Sequence, residues 1–177
     1  MNLPNKLTVG RVIAVPFFIA AYLAGFYPAA VVIFIFAALT DALDGKIARS
    51  RNLVTNFGKI MDPLADKILV YSALCLFIEE EIIAAWMLIL ILAREFIIAG
   101  MRTVAASEGR VLAAGMSGKV KTVLQMVAVI LFLLALSIPA ARMSIMMVAN
   151  VVFIASLVMT VYSGCEYVMK NKDVFSM

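Results

Sequence analysis

Apolar runs fill this chain almost from end to end, broken only where a glycine, a proline or a charged residue intervenes, and this pattern constrains the fold more than any other feature. Read by periodicity and by those breaks, the runs predict helices over residues 7–25, 29–50, 56–77, 82–107, 117–136 and 143–169. Crossing the hydrocarbon core of a bilayer takes about 20 mostly apolar residues, and the runs are of that order. With 65% hydrophobic residues and a mean hydropathy of +1.08, the chain carries more apolar surface than a soluble domain of 177 residues can bury. The expected fold is all-α, a polytopic membrane helix bundle of six transmembrane helices, with residues 1–177 forming one domain. Ahead of the first span, apolar Leu3, Pro4, Leu7 and Ile13 alternate with Asn5, Lys6, Thr8 and Arg11, the pattern of an amphipathic lead-in at the membrane surface. Lys6 and Arg11 before an apolar run imitate a secretory leader, but another apolar run follows Gly25, so an uncleaved first span is expected.

Charge sets the orientation. Of the 15 basic residues, all but Arg94 and Arg142 fall towards one side of a six-span bundle. Arg94 interrupts a span, Arg142 lies on the opposite side, and Glu79, Glu80 and Glu81 mark the far turn between the third and fourth helices. The positive-inside bias then places both termini and the charged loops in the cytoplasm, in a multi-pass protein of the cytoplasmic membrane. The chain has no histidine, which removes imidazole acid–base chemistry and the commonest ligand of zinc and copper. Cys75 and Cys165 have neither metal-site nor disulfide spacing and are read as packing residues. Catalysis is left to carboxylates, lysines, arginines and hydroxyls, and no nucleic-acid partner is expected.

Four carboxylates carry the chemical signal. Asp41 and Asp44 close the second predicted helix, and Asp62 and Asp66 open the third. Residues three and four apart share a helical face, so Asp41, Asp44 and Ala48 line one face and Gly58, Asp62 and Asp66 line another. Two antiparallel neighbours can present all four carboxylates to one another. Such a cluster at a membrane edge repels itself and is costly to desolvate, and a bound cation is the simplest compensation. Oxygen-only ligation favours Mg²⁺, Mn²⁺ or Ca²⁺ over zinc. Two such ions about 3.5–4 Å apart suit a phosphoryl-type displacement. Gly45 and Ala48 remove bulk from the acidic face so that a nucleotide can approach the backbone, Gly58 clears space one turn before Asp62, and Arg49 can pair with a diphosphate. Arg49 also reads as a cytoplasmic anchor, and the aspartates as a set holding two helices together. Pro63 disfavours helical geometry at Asp62, so a kink in the third helix is expected there.

Asp41-x-x-Asp44-Gly45-x-x-Ala48-Arg49, eight residues, then Gly58-x-x-x-Asp62-x-x-x-Asp66 resembles the complete signature of the CDP-alcohol phosphatidyltransferase family. The resemblance implies a six-helix homodimer whose cytoplasm-facing cavity holds two divalent ions, Mg²⁺ or Mn²⁺, a CDP-linked lipid and an acceptor alcohol. It makes Asp41, Asp44, Asp62 and Asp66 the metal ligands, Asp66 also the general base, and Gly45, Ala48 and Arg49 contacts of the cytidine diphosphate. Thr55 is similarly placed to reach the nucleotide, or else caps the third helix. Asn5, Thr8 and Arg11 share one face and could border the nucleotide, with interfacial anchoring the preferred of the two readings.

The resemblance extends past the signature. Asn2, Pro4, Asn5, Thr8 and Arg11, the Ala93-Arg94-Glu95-Phe96 segment with Arg102, and Gly118-Lys119-Val120-Lys121-Thr122 are similar to the phosphatidylglycerophosphate synthase branch of that family. That branch implies CDP-diacylglycerol as donor and sn-glycerol 3-phosphate as acceptor, the products being phosphatidylglycerol phosphate and CMP. The acceptor phosphate needs cations apart from the metals, and Arg94, Arg102, Lys119 and Lys121 are the candidates. Arg94 also reads as one half of a salt bridge inside the bundle, the cavity-facing role being the preferred of the two. Lys119 and Lys121 lie about 200° apart around a helix, so at most one points inward. The stretch from Gly115 to Lys119 has the look of a phosphate loop, but Ala113 and Val120 occupy the places where that motif needs Gly and Ser or Thr. Competing readings keep the chemistry with inositol phosphate, serine or a phospholipid as acceptor, or make the chain a cation or proton transporter. Against transport, the carboxylates cluster at one face and no acidic relay runs on towards Glu79.

Overall fold

The computed structural model describes the backbone of residues 3–50, 56–113 and 115–175 and the side chains of 9–40, 64–65, 67–113 and 115–174. Among the described residues the chain forms helices joined by turns and short irregular links, with no strand. The long helices are α1 (Leu3–Leu23), α2 (Tyr27–Ser50), α3 (Asn56–Glu79), α4 (Ala85–Ser107), α5 (Met116–Ser137) and α6 (Arg142–Lys170). Short 3₁₀ turns at Pro139–Ala141 and Lys172–Phe175 precede and follow α6. The lead-in residues from Leu3 onward belong to α1 itself, and α3 is assigned as one helix through Pro63.

Three helix ends close in the same way. After α1, Gly25 adopts φ 71°, its N–H donates to the Tyr22 carbonyl at 2.9 Å and that of Phe26 to Ala21 at 2.9 Å. After α4, Gly109 adopts φ 75° and Arg110 donates to the Ala105 carbonyl at 2.9 Å. Glycine takes the left-handed position without the clash a Cβ brings. After α3 the same closure uses Glu81 at φ 58°, with Ile82 donating to Phe77 at 2.9 Å. With no glycine to mark it, this closure moves the α3–α4 boundaries from the expected 77 and 82 to 79 and 85.

Phenylalanines staple the helices together. Phe18 of α1 meets Phe34 of α2 at 5.7 Å between ring centroids, Tyr22 of α1 meets Phe77 of α3 at 6.0 Å, Phe77 meets Phe132 of α5 at 5.3 Å, and Phe132 meets Phe153 of α6 at 5.8 Å. Each such pair adds about 0.5–1.5 kcal/mol beyond its buried area. Between the rings, Ala30, Ala37, Ala73, Ala128 and Ala149 are buried and let the backbones approach, as apolar helices do in lipid, where packing rather than water drives association. α5 and α6 make the most extensive pair, α1 packs on α2 and α3, and α4 is held mainly against α6.

The exterior is apolar as well. Large hydrophobic side chains stand exposed on every long helix, among them Phe17, Phe36, Ile68, Phe96, Val123 and Ile154. A water-soluble surface would not carry so many. Among the described residues, Met116–Ser137 and Pro139–Lys170 are long and apolar enough to cross a bilayer, and Val9–Leu23 and Tyr27–Thr40 are shorter apolar helices. Together these features mark a membrane protein. Cys75 and Cys165, expected to pack inside, are both free and exposed on the outer surface. Lipid and core are equally apolar, so a thiol gains little from one over the other.

Candidate active site

At the end of the bundle where α4 and α6 finish and α5 begins, a cavity of about 700 Å³ opens between α3, α4, α5 and α6. Five basic side chains, Lys67, Arg94, Arg102, Lys119 and Lys170, line it against the two carboxylates Glu95 and Glu166. A second core at this end, Ile98, Met101, Ala105, Tyr167 and Val174, ties α4 to α6 and to the C-terminal turn. Arg110 bonds Asp173 across the outside of that core, and its hydrogen bond holds the Asp173 carboxyl below the usual carboxylate range.

Glu95 organises the floor. Its Oε2 accepts Lys67 Nζ at 2.8 Å, while Oε1 takes Arg94 Nη1 at 2.8 Å and Lys121 Nζ at 2.9 Å. One carboxylate thereby joins α3, α4 and α5. Lys121 is only 3% exposed, a depth at which an ammonium needs a hydrogen-bonded counter-charge. It lines a smaller cavity of about 120 Å³ behind the floor, with Tyr71 and Gln125. Lys119 stays exposed at the wall of the larger cavity, so one lysine of the pair turns inward, the most that the helical spacing allows.

Arg94 crosses to α6, where its Nη2 donates to Ser163 Oγ at 3.1 Å. It is both the intrabundle ion pair and a cavity residue, the two readings open from sequence. Ser163 is buried and also bonds the Thr160 carbonyl of its own helix, which satisfies its hydroxyl within an apolar stretch. Arg102 donates from Nε to the Tyr167 hydroxyl at 3.1 Å, with its guanidinium carbon 5.4 Å from that ring's centroid, a cation–π contact. On the facing wall, Glu166 accepts from Ser117 Oγ and from Lys170. The two carboxylates thus pair with four cations, Lys67, Arg94, Lys121 and Lys170, and leave part of that charge uncompensated. Arg102 and Lys119 have no carboxylate partner among the described residues, and the cavity keeps a positive excess suited to an anion.

Lys67 follows Asp66 directly on α3, so the basic cavity borders the turn that carries the second aspartate pair. The backbone places Asp41, Asp44, Gly45, Ala48 and Arg49 at the end of α2 and Gly58, Asp62 and Asp66 at the start of α3, where the helical spacings predicted for them hold. Their side chains lie outside the described residues, as do those of Asn5 and Thr8 in α1, and Thr55 lies outside altogether. Arg11, 3% exposed, donates from Nε to the Ala37 carbonyl of α2 at 3.3 Å, one turn before Asp41. Among the described residues no set of three metal-ligating side chains occurs. Sequence reasoning passed over Glu95 as a site residue, Lys67 as more than a cytoplasmic charge, and the whole α6 wall. The available signal was an ionisable residue, Glu95 or Glu166, inside an apolar helix.

A model of the CDP-alcohol phosphatidyltransferase family matches residues 1–162. The chain belongs to that family. Within the CDP-alcohol phosphatidyltransferases, it is similar to the CDP-diacylglycerol–glycerol-3-phosphate 3-phosphatidyltransferase of Bacillus subtilis (strain 168), 42% identical over 185 residues that cover 96% of this chain and 95% of the relative. The enzyme of that name from Rickettsia felis is 33% identical over 98% of this chain and 97% of its own length. A probable phosphatidylglycerophosphate synthase of Mycobacterium tuberculosis (strain ATCC 25618 / H37Rv) is 39% identical over 96% of this chain and 81% of its own. Dependence on a divalent metal is general among CDP-alcohol phosphatidyltransferases.

Proposed function

We infer that this protein is a phosphatidylglycerophosphate synthase, a membrane transferase that moves the phosphatidyl group of CDP-diacylglycerol to sn-glycerol 3-phosphate and releases CMP. The observation that carries this reading is near full-length similarity, 42% over 96% of the chain, to an enzyme named for that reaction. A cavity with excess positive charge beside Asp66 is what an acceptor bearing a phosphate dianion requires.

Asp41, Asp44, Asp62 and Asp66 fit a pair of Mg²⁺ or Mn²⁺ ions by donor chemistry: four carboxylates on two helix ends joined by a short connection, in a chain without histidine. Bound there, the ions neutralise the donor's pyrophosphate and the charge that develops on the leaving group. Gly45 and Ala48 leave room for the cytidine diphosphate, and Arg49 pairs with its phosphates, with Gly58 and Thr55 flanking and Asn5 and Thr8 bordering from α1. On the acceptor side, Arg94, Arg102 and Lys119 hold the glycerol phosphate away from the aspartates, and Lys121 acts from beneath by fixing Glu95. Asp66 takes the proton of the acceptor's primary hydroxyl as its oxygen bonds to the lipid-side phosphorus. The bond from that phosphorus to the CMP oxygen breaks, and CMP leaves with the electron pair. The test is an acceptor panel in detergent with CDP-diacylglycerol and Mg²⁺ or Mn²⁺. CMP release is expected with glycerol 3-phosphate and not with serine, inositol phosphate or phosphatidylglycerol, and preference for an acceptor without phosphate would refute the reading.

The proposed arrangement is six spans with an interfacial start to α1, both termini and the cavity facing the cytoplasm, and a homodimer as the working unit. The charge asymmetry of the loops and the apolar side chains exposed on all six helices support the spans and their orientation, and the homodimer is what the family resemblance implies. With Cys75 and Cys165 first replaced by serine, cysteines introduced as Asn52→Cys and Glu108→Cys should resist a membrane-impermeant maleimide in intact cells, and Ala140→Cys should label. The reverse pattern would invert the orientation.

A further inference from the structure

We propose that Gly118 and Gly164 are positioning residues, forming a slot that sets the reach of the Arg94 guanidinium into the anion-binding cavity. The proposal rests on the acceptor-site reading above. Arg94 leaves α4 and passes between α5 and α6 to reach Ser163. A Cβ added at Gly118 on α5 would stand 3.1 Å from Arg94 Nη2, and one at Gly164 on α6 would stand 3.1 Å from Arg94 Cγ. No other glycine described has its missing Cβ directed at an arginine: at Gly10, Gly25, Gly100 and Gly109 an added Cβ meets nothing within 4 Å, and at Gly115 it meets Ser117 Oγ at 3.5 Å. Gly118 and Gly164 are helical and neither has a positive φ, so backbone freedom does not explain them. Space does.

The slot matters because Arg94 is held at both ends of its fork, Nη1 on Glu95 and Nη2 on Ser163, while its Nε is buried with no hydrogen-bond partner. A guanidinium fixed this way presents its remaining N–H groups in one geometry, and that rigidity is what makes an arginine selective for a phosphate. An alanine at either glycine forces the side chain to yield by a few tenths of an ångström. Its two anchors then stretch or break, and the donors turned to the cavity move with them. Displacements of this order cost binding steeply when the partner is oriented.

Gly118→Ala and Gly164→Ala should each raise the KM for glycerol 3-phosphate about 5- to 20-fold, as expected for weakening one charge-assisted contact, with kcat and the KM for CDP-diacylglycerol within about twofold. Gly100→Ala, in open space, serves as the control and should change nothing. In an Arg94→Ala background the two alanines should have no further effect on the acceptor KM, a non-additivity that a general loss of stability would not produce. If Arg94→Ala raises the acceptor KM and both glycine variants leave it alone, or if they act undiminished without Arg94, the slot is refuted and the acceptor site stands. If Arg94→Ala itself leaves the acceptor KM unchanged, the acceptor-site reading falls and the slot falls with it.

Discussion

Replacing any one of Asp41, Asp44, Asp62 or Asp66 by asparagine is expected to lower CMP release by about 10³-fold or more, the scale on which single electrostatic or proton-transfer groups act in a displacement. Asparagine keeps the shape and one acceptor oxygen but loses the charge that a hard divalent cation needs, and the chain offers no histidine in compensation. Chelation of the wild type should have the same effect, reversed by Mg²⁺ or Mn²⁺. The folded bundle should survive, because its aromatic staple from Phe18 to Phe153 lies apart from these positions. Thermal unfolding in detergent checks this. Full turnover in chelator, or in Asp62→Asn, would sink the metal-pair mechanism.

The second large effect separates the two substrates. Arg94→Ala, Arg102→Ala and Lys119→Ala should each raise the KM for glycerol 3-phosphate about 10- to 100-fold, the equivalent of one hydrogen bond to a charged group, with little change for CDP-diacylglycerol. Arg102 should exceed Lys119, because Tyr167 already orients its guanidinium through a hydrogen bond and a cation–π contact, while the exposed Lys119 still has side-chain entropy to lose. Lys121→Ala should behave differently. It leaves Glu95 without one of its three partners, so it should destabilise the bundle and disturb the floor rather than remove a phosphate contact. Steady-state kinetics with each substrate varied in turn, beside a melting curve for each variant, distinguish these outcomes. Equal shifts in both KM values would refute the division of the site.

Much of this was legible along the chain because it depends on local spacing. Continuous apolar runs dictate helices in a bilayer whatever their neighbours, and glycines at 25 and 109 mark two helix ends by the conformation they alone adopt without strain. The aspartate signature was readable for the same reason, since three- and four-residue steps share a face wherever a helix forms. Glu81 shows the limit of local signals: it closes α3 in a conformation that its residue type does not announce, and the boundaries move with it. The faces of the helices were a matter for packing. In a chain apolar on nearly every side, burial does not follow from hydrophobicity, and so Cys75 and Cys165 turn outwards although their surroundings in sequence resemble a core. The same holds for charge. That spacing allowed one of Lys119 and Lys121 to face inward was evident, but the choice of Lys121 came from Glu95, 26 residues away on another helix. Arg94 has Glu95 beside it in the sequence, but its second anchor came only when α6 brought Ser163 to its far end, 69 residues on. Opposite charges and missing side chains on separate helices leave no trace in periodicity; only the docking of α4, α5 and α6 brings Glu95, Arg94, Gly118 and Gly164 into one site.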